Sequence, residues 1–150
     1  IRKMEIKDTD EVVNLISSLA PYVDSKKENS IYEKNERKYF IENKVFVEKP
    51  EIQVIVADVS GIIYGYLAFY KNYSLISSTV VIFIENLYVD PKMRGLGIGK
   101  MLTEKIIEIS FKYDSSRIEL NADESNIMAE RFYQRNGFKK TGESVWRKIL

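Results

Sequence analysis

Residues 78–120 constrain the fold more than any other part of the chain. "STVVIFIENLYVD" is an apolar, β-branched run with strand character, stopped by Asp90–Pro91. Further on, Ile98, Leu102, Ile106, Ile109 and Tyr113 recur at helical spacing, an apolar stripe made to face a sheet. "RIELNAD" then reads as a short strand. The segment from Ile82 to Leu120 is therefore a strand–helix–strand crossover, expected to be parallel and right-handed. A chain with such a unit is committed to a mixed α/β sheet.

The turn inside that unit is "RGLGIGK", Arg94 to Lys100, with glycines at 95, 97 and 99. Two phosphate-binding motifs fail here. A Walker loop needs glycine where Arg94 stands and Ser or Thr where Met101 stands. A dinucleotide fingerprint needs its third glycine where Lys100 stands. The local geometry still has meaning. Glycine adopts positive φ and lets backbone approach a ligand closely. The free N–H groups and aligned dipoles of a helix start favour an anion. Arg94 adds a mobile positive charge. A pyrophosphate suits this turn better than a single base or a metal. The plain alternative is a strand–helix turn with no ligand.

The rest of the chain is consistent with one domain, 1–150. "IRKMEI" opens as a strand, and Val12, Leu15, Ile16 and Leu19 give a helix that Pro21 helps to end. "SIYEKNERKYFIEN" is a second helix, with Ser30 and Glu33 at capping-box spacing. "IQVIVADV" and "IIYGYLAFY" form a hairpin about Ser60–Gly61, and a polar–aromatic loop, "KNYSLISS", leads to the next strand. "SNIMAERFYQRNGF" is a helix stopped at Asn136–Gly137, and "KKTGESVWRKIL" supplies one or two closing strands.

Composition removes several chemistries. The chain has no cysteine and no histidine, so acid–base work falls to carboxylates, Tyr, Lys or water. No metal is expected. Lys plus Arg is 23 and Asp plus Glu is 22, a net charge of +1 that gives nucleic-acid binding no support. No apolar run approaches a membrane span, and the start has no signal-peptide pattern, so no membrane partner and a cytoplasmic location are expected.

"LYVDPKMRGLGIGKML" resembles the acyl-CoA signature of the GCN5-related N-acetyltransferase (GNAT) family, which has Arg or Gln, two residues, Gly, one residue, then Gly or Ala. Arg94, Gly97 and Gly99 fill it. "NIMAERFYQRNGF", from Asn126 to Phe138, is similar to a second element of that family, in the right order. The resemblance implies a single-domain GNAT-like fold: a mixed central sheet splayed at the acyl-CoA site, with helices on both faces. It implies acetyl-CoA as co-substrate and a small-molecule or peptide amine as acceptor. The backbone of Arg94, Gly95, Leu96, Gly97, Ile98, Gly99 and Lys100 would hold the pyrophosphate. Pantetheine would lie along Leu87, Tyr88 and Val89 like an added strand, at a bulge or splay near Glu85–Leu87. Many members of the family pair as dimers, and the resemblance implies a homodimer here.

Without Cys or His, direct attack of the amine on the thioester is simpler than a covalent acetyl-enzyme. Glu85, on the strand beside the donor, is the candidate base; its alternative is a solvent-facing strand residue. A backbone N–H, at Leu87, is the candidate donor to the developing oxyanion. Tyr133 matches the family's general acid; its alternative is a core tyrosine. Asn126 orders the donor or caps its helix. Tyr22, Tyr32, Tyr39, Tyr70, Tyr73 and Trp146 are candidates to line a cationic pocket. "FIENLYV" and "ESVWRK" resemble the diamine/polyamine branch, which would make Glu85, Glu143 and Trp146 acceptor contacts. Protein N-terminal and aminoglycoside acetylation use the same scaffold. Two other classes stay open: a non-catalytic acyl-CoA sensor, and a small nucleotide- or RNA-binding domain.

Overall fold

A computed structural model of the protein describes residues 1–19, 34–142 and 148. Strands β1 (Arg2–Lys3), β2 (Gln53–Val59), β3 (Ile62–Ser74), β4 (Thr79–Val89) and β5 (Ser115–Leu120) form one sheet in the order β1-β2-β3-β4-β5. The first three pairings are antiparallel, and β4 with β5 is parallel. Helices α1 (Thr9–Leu19) and α2 (Lys34–Val45) precede β2, α3 (Ile98–Lys112) makes the expected crossover between β4 and β5, and α4 (Ile127–Arg135) follows β5. The closing strand expected near the end and the Ser30–Glu33 cap fall largely outside the described residues.

Alternation along the strands divides the core between two faces. Val54, Val56, Tyr66, Ala68 and Tyr88 pack with Val12, Val13, Leu15, Ile41 and Val45 of α1 and α2. Ile55, Leu67, Phe69, Ile82, Ile84 and Val89 pack with Ile98, Leu102 and Ile106 of α3. Burying each such side chain contributes roughly 1.5–3 kcal/mol. Helices cover both faces, as the resemblance implied.

Two boundaries differ from the sequence expectation. The hairpin strand runs on through "KNYS": Lys71 pairs with Ile82 and Tyr73 with Val80, so only 75–78 form the loop. The opening strand is cut to Arg2–Lys3 because Ile6–Asp8 winds into a 3₁₀ turn. Its organiser is Asp8, buried, which accepts the Glu5 N–H at 2.8 Å and both terminal nitrogens of Arg2 at 2.6 and 2.9 Å. Arg2 Nε also donates to Asp58 at 3.0 Å, and Asp58 accepts the Gly61 N–H at 2.8 Å. One guanidinium thus ties the N-terminus to the β2–β3 turn.

Arg2 holds the Asp8 carboxyl below the usual carboxylate range. A carboxyl with a depressed folded pKa stabilises fully above its unfolded pKa, near ~4, and loses that contribution as pH falls through the folded value. Asp8→Asn should therefore cost about 2 kcal/mol at pH 7 and flatten the loss of melting temperature below about pH 4. Thermal melts of both proteins across that range check this; an unchanged acid limb would remove Asp8 as its source.

Candidate active site

The site begins where β5 leaves β4. Their register runs from Val80 opposite Ser115 to Ile84 opposite Leu120. Beyond it, β4 continues to Val89 paired with β3 alone among the described strands. The same point carries a bulge: Ala68 faces Asn86 and Phe69 faces Ile84, so Glu85 is the extra residue. Asp90 donates its N–H to Tyr64 O across the β3 ladder at 2.8 Å. By alternation Tyr88 also turns its N–H to β3, while Leu87 and Val89 turn theirs to the side β5 has left. The Val89 carbonyl accepts Arg94 Nε at 3.0 Å. The open main-chain edge thus centres on Leu87, in the region expected to splay.

Asp90 accepts the Lys92 N–H at 2.9 Å, and one 3₁₀ turn, Pro91–Met93, redirects the chain toward α3. Gly95 and Gly97 have φ of 81° and 85°, the left-handed region where a Cβ is costly. Gly97 is the α3 N-cap and supplies no side-chain bond. The N–H groups from Gly95 to Lys100 find no main-chain acceptor among the described residues. A Cβ built on Gly95 or Gly97 would meet nothing within 4 Å. An open row of donors at a helix start is suited to a diphosphate.

Neighbouring residues play different parts. Gly99 has no positive φ, but a Cβ there would lie 2.9 Å from Phe132 Cε2, so its lack of a side chain lets α4 rest against α3. Arg94 is not the mobile charge expected: Val89 O holds its Nε, and its guanidinium lies 5.5 Å from the Tyr88 ring centroid. Leu96 is exposed, Ile98 is buried in the α3 core, and Lys100 sits 3.6 Å from Glu104 on the exposed helix face. Sequence reasoning missed Gly65, where a Cβ would press Tyr88 O at 2.9 Å. An isolated glycine inside a strand is the signal for such close approach.

Asn126 caps α4 by accepting the Ala129 N–H at 3.0 Å. Tyr133 is packed edge-on by Phe132 and Phe138, with ring centroids 5.3 and 5.6 Å away. Burial pushes its hydroxyl up to about 12. It lines a cavity of 730 Å³ with Phe83, Leu120 and Phe138, a size that accommodates a ligand. Glu85 does not line that cavity. It is exposed, and its charge acts on the hydroxyls of Tyr66 and Tyr70, which places it toward the α1/α2 face. Glu85 thus lies at the bulge of β4, while Tyr133 lines the cavity from α4.

Three of the aromatics expected to line a cationic pocket, Tyr39, Tyr70 and Tyr73, are among the described residues, on α2 and β3. Tyr39 is exposed on α2, Tyr73 is exposed toward the far end of the β3–β4 hairpin, and Tyr70 stacks on Phe83 at 5.1 Å. Tyr22, Tyr32, Glu143 and Trp146 lie outside the described residues. Among the described residues no cluster of Asp or Glu could hold a metal ion, and no helix is long and apolar enough to cross a membrane.

Comparison with known proteins gives the family and the fold. A protein of Archaeoglobus fulgidus named as an N-acetyltransferase is 30% identical over 89% of this chain and 88% of its own. The peptidyl-lysine N-acetyltransferase YjaB of Salmonella typhimurium is 39% identical over 41% of this chain and 39% of its own. The spermine/spermidine N(1)-acetyltransferase of Bacillus subtilis is 35% identical over 41% of each. The matches to these last two span less than half of either relative. Among solved structures, the aminoglycoside N-acetyltransferase AAC(6')-Iy in complex with CoA superposes with a TM-score of 0.82 at 16% identity, over 99% of this chain and 92% of that one. The acetyltransferase (GNAT) family profile matches residues 11–138, and with a splayed β4 leading into a glycine-capped helix, this chain belongs to that family.

Proposed function

We propose that the protein moves an acetyl group from acetyl-CoA directly to a primary amine within a ternary complex. The observation that carries this is the open main-chain edge at Leu87 leading into the unpaired N–H groups at the start of α3. The two suit the two ends of an acyl-CoA: an amide-bearing arm along a strand edge and a diphosphate at a helix N-terminus. Acetyl-CoA supplies the activated thioester; the chain's residues do the rest.

Three tasks fall to them. The acceptor must lose a proton, and at pH 7 an alkylammonium with pKa near ~10 costs about 4 kcal/mol to neutralise. Glu85, on the α1/α2 side of the splay, takes that proton directly or through water. Negative charge on the carbonyl oxygen meets the Leu87 N–H, a donor worth roughly 3 kcal/mol. Tyr133 serves the departing sulfur from α4. With its hydroxyl near 12, full proton transfer to a thiolate of pKa ~8.5 runs uphill by about 5 kcal/mol. Tyr133 therefore works as a hydrogen-bond donor to the sulfur, with transfer late in the step.

The acceptor is a primary alkyl amine. Peptidyl-lysine and spermine/spermidine, in the names of two relatives, share that group. The competing reading is an acyl-CoA sensor, which would bind the donor and turn nothing over.

Thiol release from acetyl-CoA, measured across polyamines, lysine peptides, peptide N-termini and aminoglycosides, separates these readings; binding with no release for any amine would favour the sensor. Tyr133→Phe should lower kcat at least tenfold and leave acetyl-CoA affinity within about twofold. Equal turnover at saturating substrate would remove Tyr133 from the reaction. Gly97→Val should weaken acetyl-CoA binding at least tenfold, by straining the left-handed turn and screening its donors, and unchanged affinity would count against the cradle. Gly99→Ala should instead lower kcat by displacing Phe132 and α4, with Gly99→Ala/Phe132→Leu recovering part of the loss. A fall in donor affinity alone would return Gly99 to the cradle.

A further inference from the structure

Tyr66 is 1% exposed, and its hydroxyl is the buried side-chain polar atom that lacks any hydrogen-bond partner among the described residues. A phenylalanine would fill the same space without that penalty, since an unpaired buried hydroxyl costs stability. Such an atom calls for an explanation, and its surroundings point to one. Tyr66, Ala68 and Tyr70 occupy alternate positions on the α1/α2 face of β3. Glu85, the bulged residue of β4, lies between Asn86, which faces Ala68, and Ile84, which faces Phe69. Ala68 contributes only a methyl group to the floor between the two rings. Among the charges acting on the Tyr66 hydroxyl are those of Glu85 and of Arg37 on α2. The Glu85 side chain is exposed, and Arg37 donates to Ser17 Oγ at 2.9 Å.

We infer that Tyr66 is a positioning residue for acetyl transfer: its hydroxyl gains its partner when the acceptor binds, by donating to the Glu85 carboxylate turned inward over Ala68. This rests on Glu85 being the base. Burial, and after it Tyr88 and Glu85 against the opposing Arg37, pushes the Tyr66 pKa up, so the hydroxyl stays protonated and can donate. It orients the carboxylate without competing for the amine's proton. The unpaired hydroxyl of the resting protein is then a group held ready for the loaded one.

Tyr66→Phe tests this, read in the full chain with the best amine from the panel. Melting temperature should stay the same or rise, and acetyl-CoA affinity should stay within about twofold. The kcat/KM for the amine should fall about 10- to 100-fold, the worth of one hydrogen bond to a charged group. In a Glu85→Gln background the same substitution should cost nothing more, because the two act as one unit. A lower melting temperature, unchanged kcat/KM, or losses that multiply would overturn the role of Tyr66 while leaving Glu85 as base. Full activity in Glu85→Gln alone would remove the base itself, and with it the route through which Tyr66 acts.

Discussion

The parting of β4 and β5 after Ile84 is the constraint on which the rest of the architecture depends. A parallel pair that continued to Val89 would use the Leu87 N–H and carbonyl internally. A bulge at Glu85 coincides with that parting, adding a residue to β4 and turning a charged side chain out beside the break. Breaking a ladder is costly in a buried sheet, since unpaired backbone groups lose the hydrogen bonds they had in water. Val89 is compensated by Arg94, which caps its carbonyl. Leu87 is left available. The open edge is thus limited in length, with a side chain closing one end.

The glycines that follow divide the labour according to backbone geometry. Gly95 and Gly97 occupy the left-handed region and face open space, so their freedom serves the turn and the exposed donors. Gly99 is an ordinary helical residue whose missing Cβ admits Phe132. Gly65 admits the Tyr88 carbonyl from the neighbouring strand. A single compositional signature therefore contains a turn, an open row of N–H donors and a helix-packing contact. Because Phe132 precedes Tyr133, the contact at Gly99 also sets where the tyrosine lies relative to the start of α3.

Much of this was legible in the sequence, and what was not had a physical reason. The strand, glycine turn, helix and strand from 78 to 120 announce themselves by local periodicity and turn chemistry. So does the stop at Asn136–Gly137, where Gly137 has φ of 85°. The extension of β3 through Ser74 was hidden because "KNYS" has little strand character alone; its pairing with 79–82 decides the matter. The shortened β1 was hidden because Asp8 draws the Glu5 N–H and Arg2 into one cluster. Glu85 and Tyr133 could be named from the resemblance, but not the bulge that turns one out nor the aromatic packing that buries the other. The Tyr66 hydroxyl could not be singled out, since only packing reveals which polar atom lacks a partner.

In the reaction proposed above, recognition of the donor rests chiefly on peptide groups, at Leu87 and along the first turn of α3, whereas the α1/α2 side is built from side chains that include Arg37, Tyr66, Tyr70 and Glu85. Mutational drift seldom erases a peptide N–H, because almost every residue type brings one. Side chains have no such insurance. One half of the scaffold is heritable with little dependence on residue identity, and the other is rewritten by single codon changes, which is how lineages can part in what they modify while keeping one acyl source.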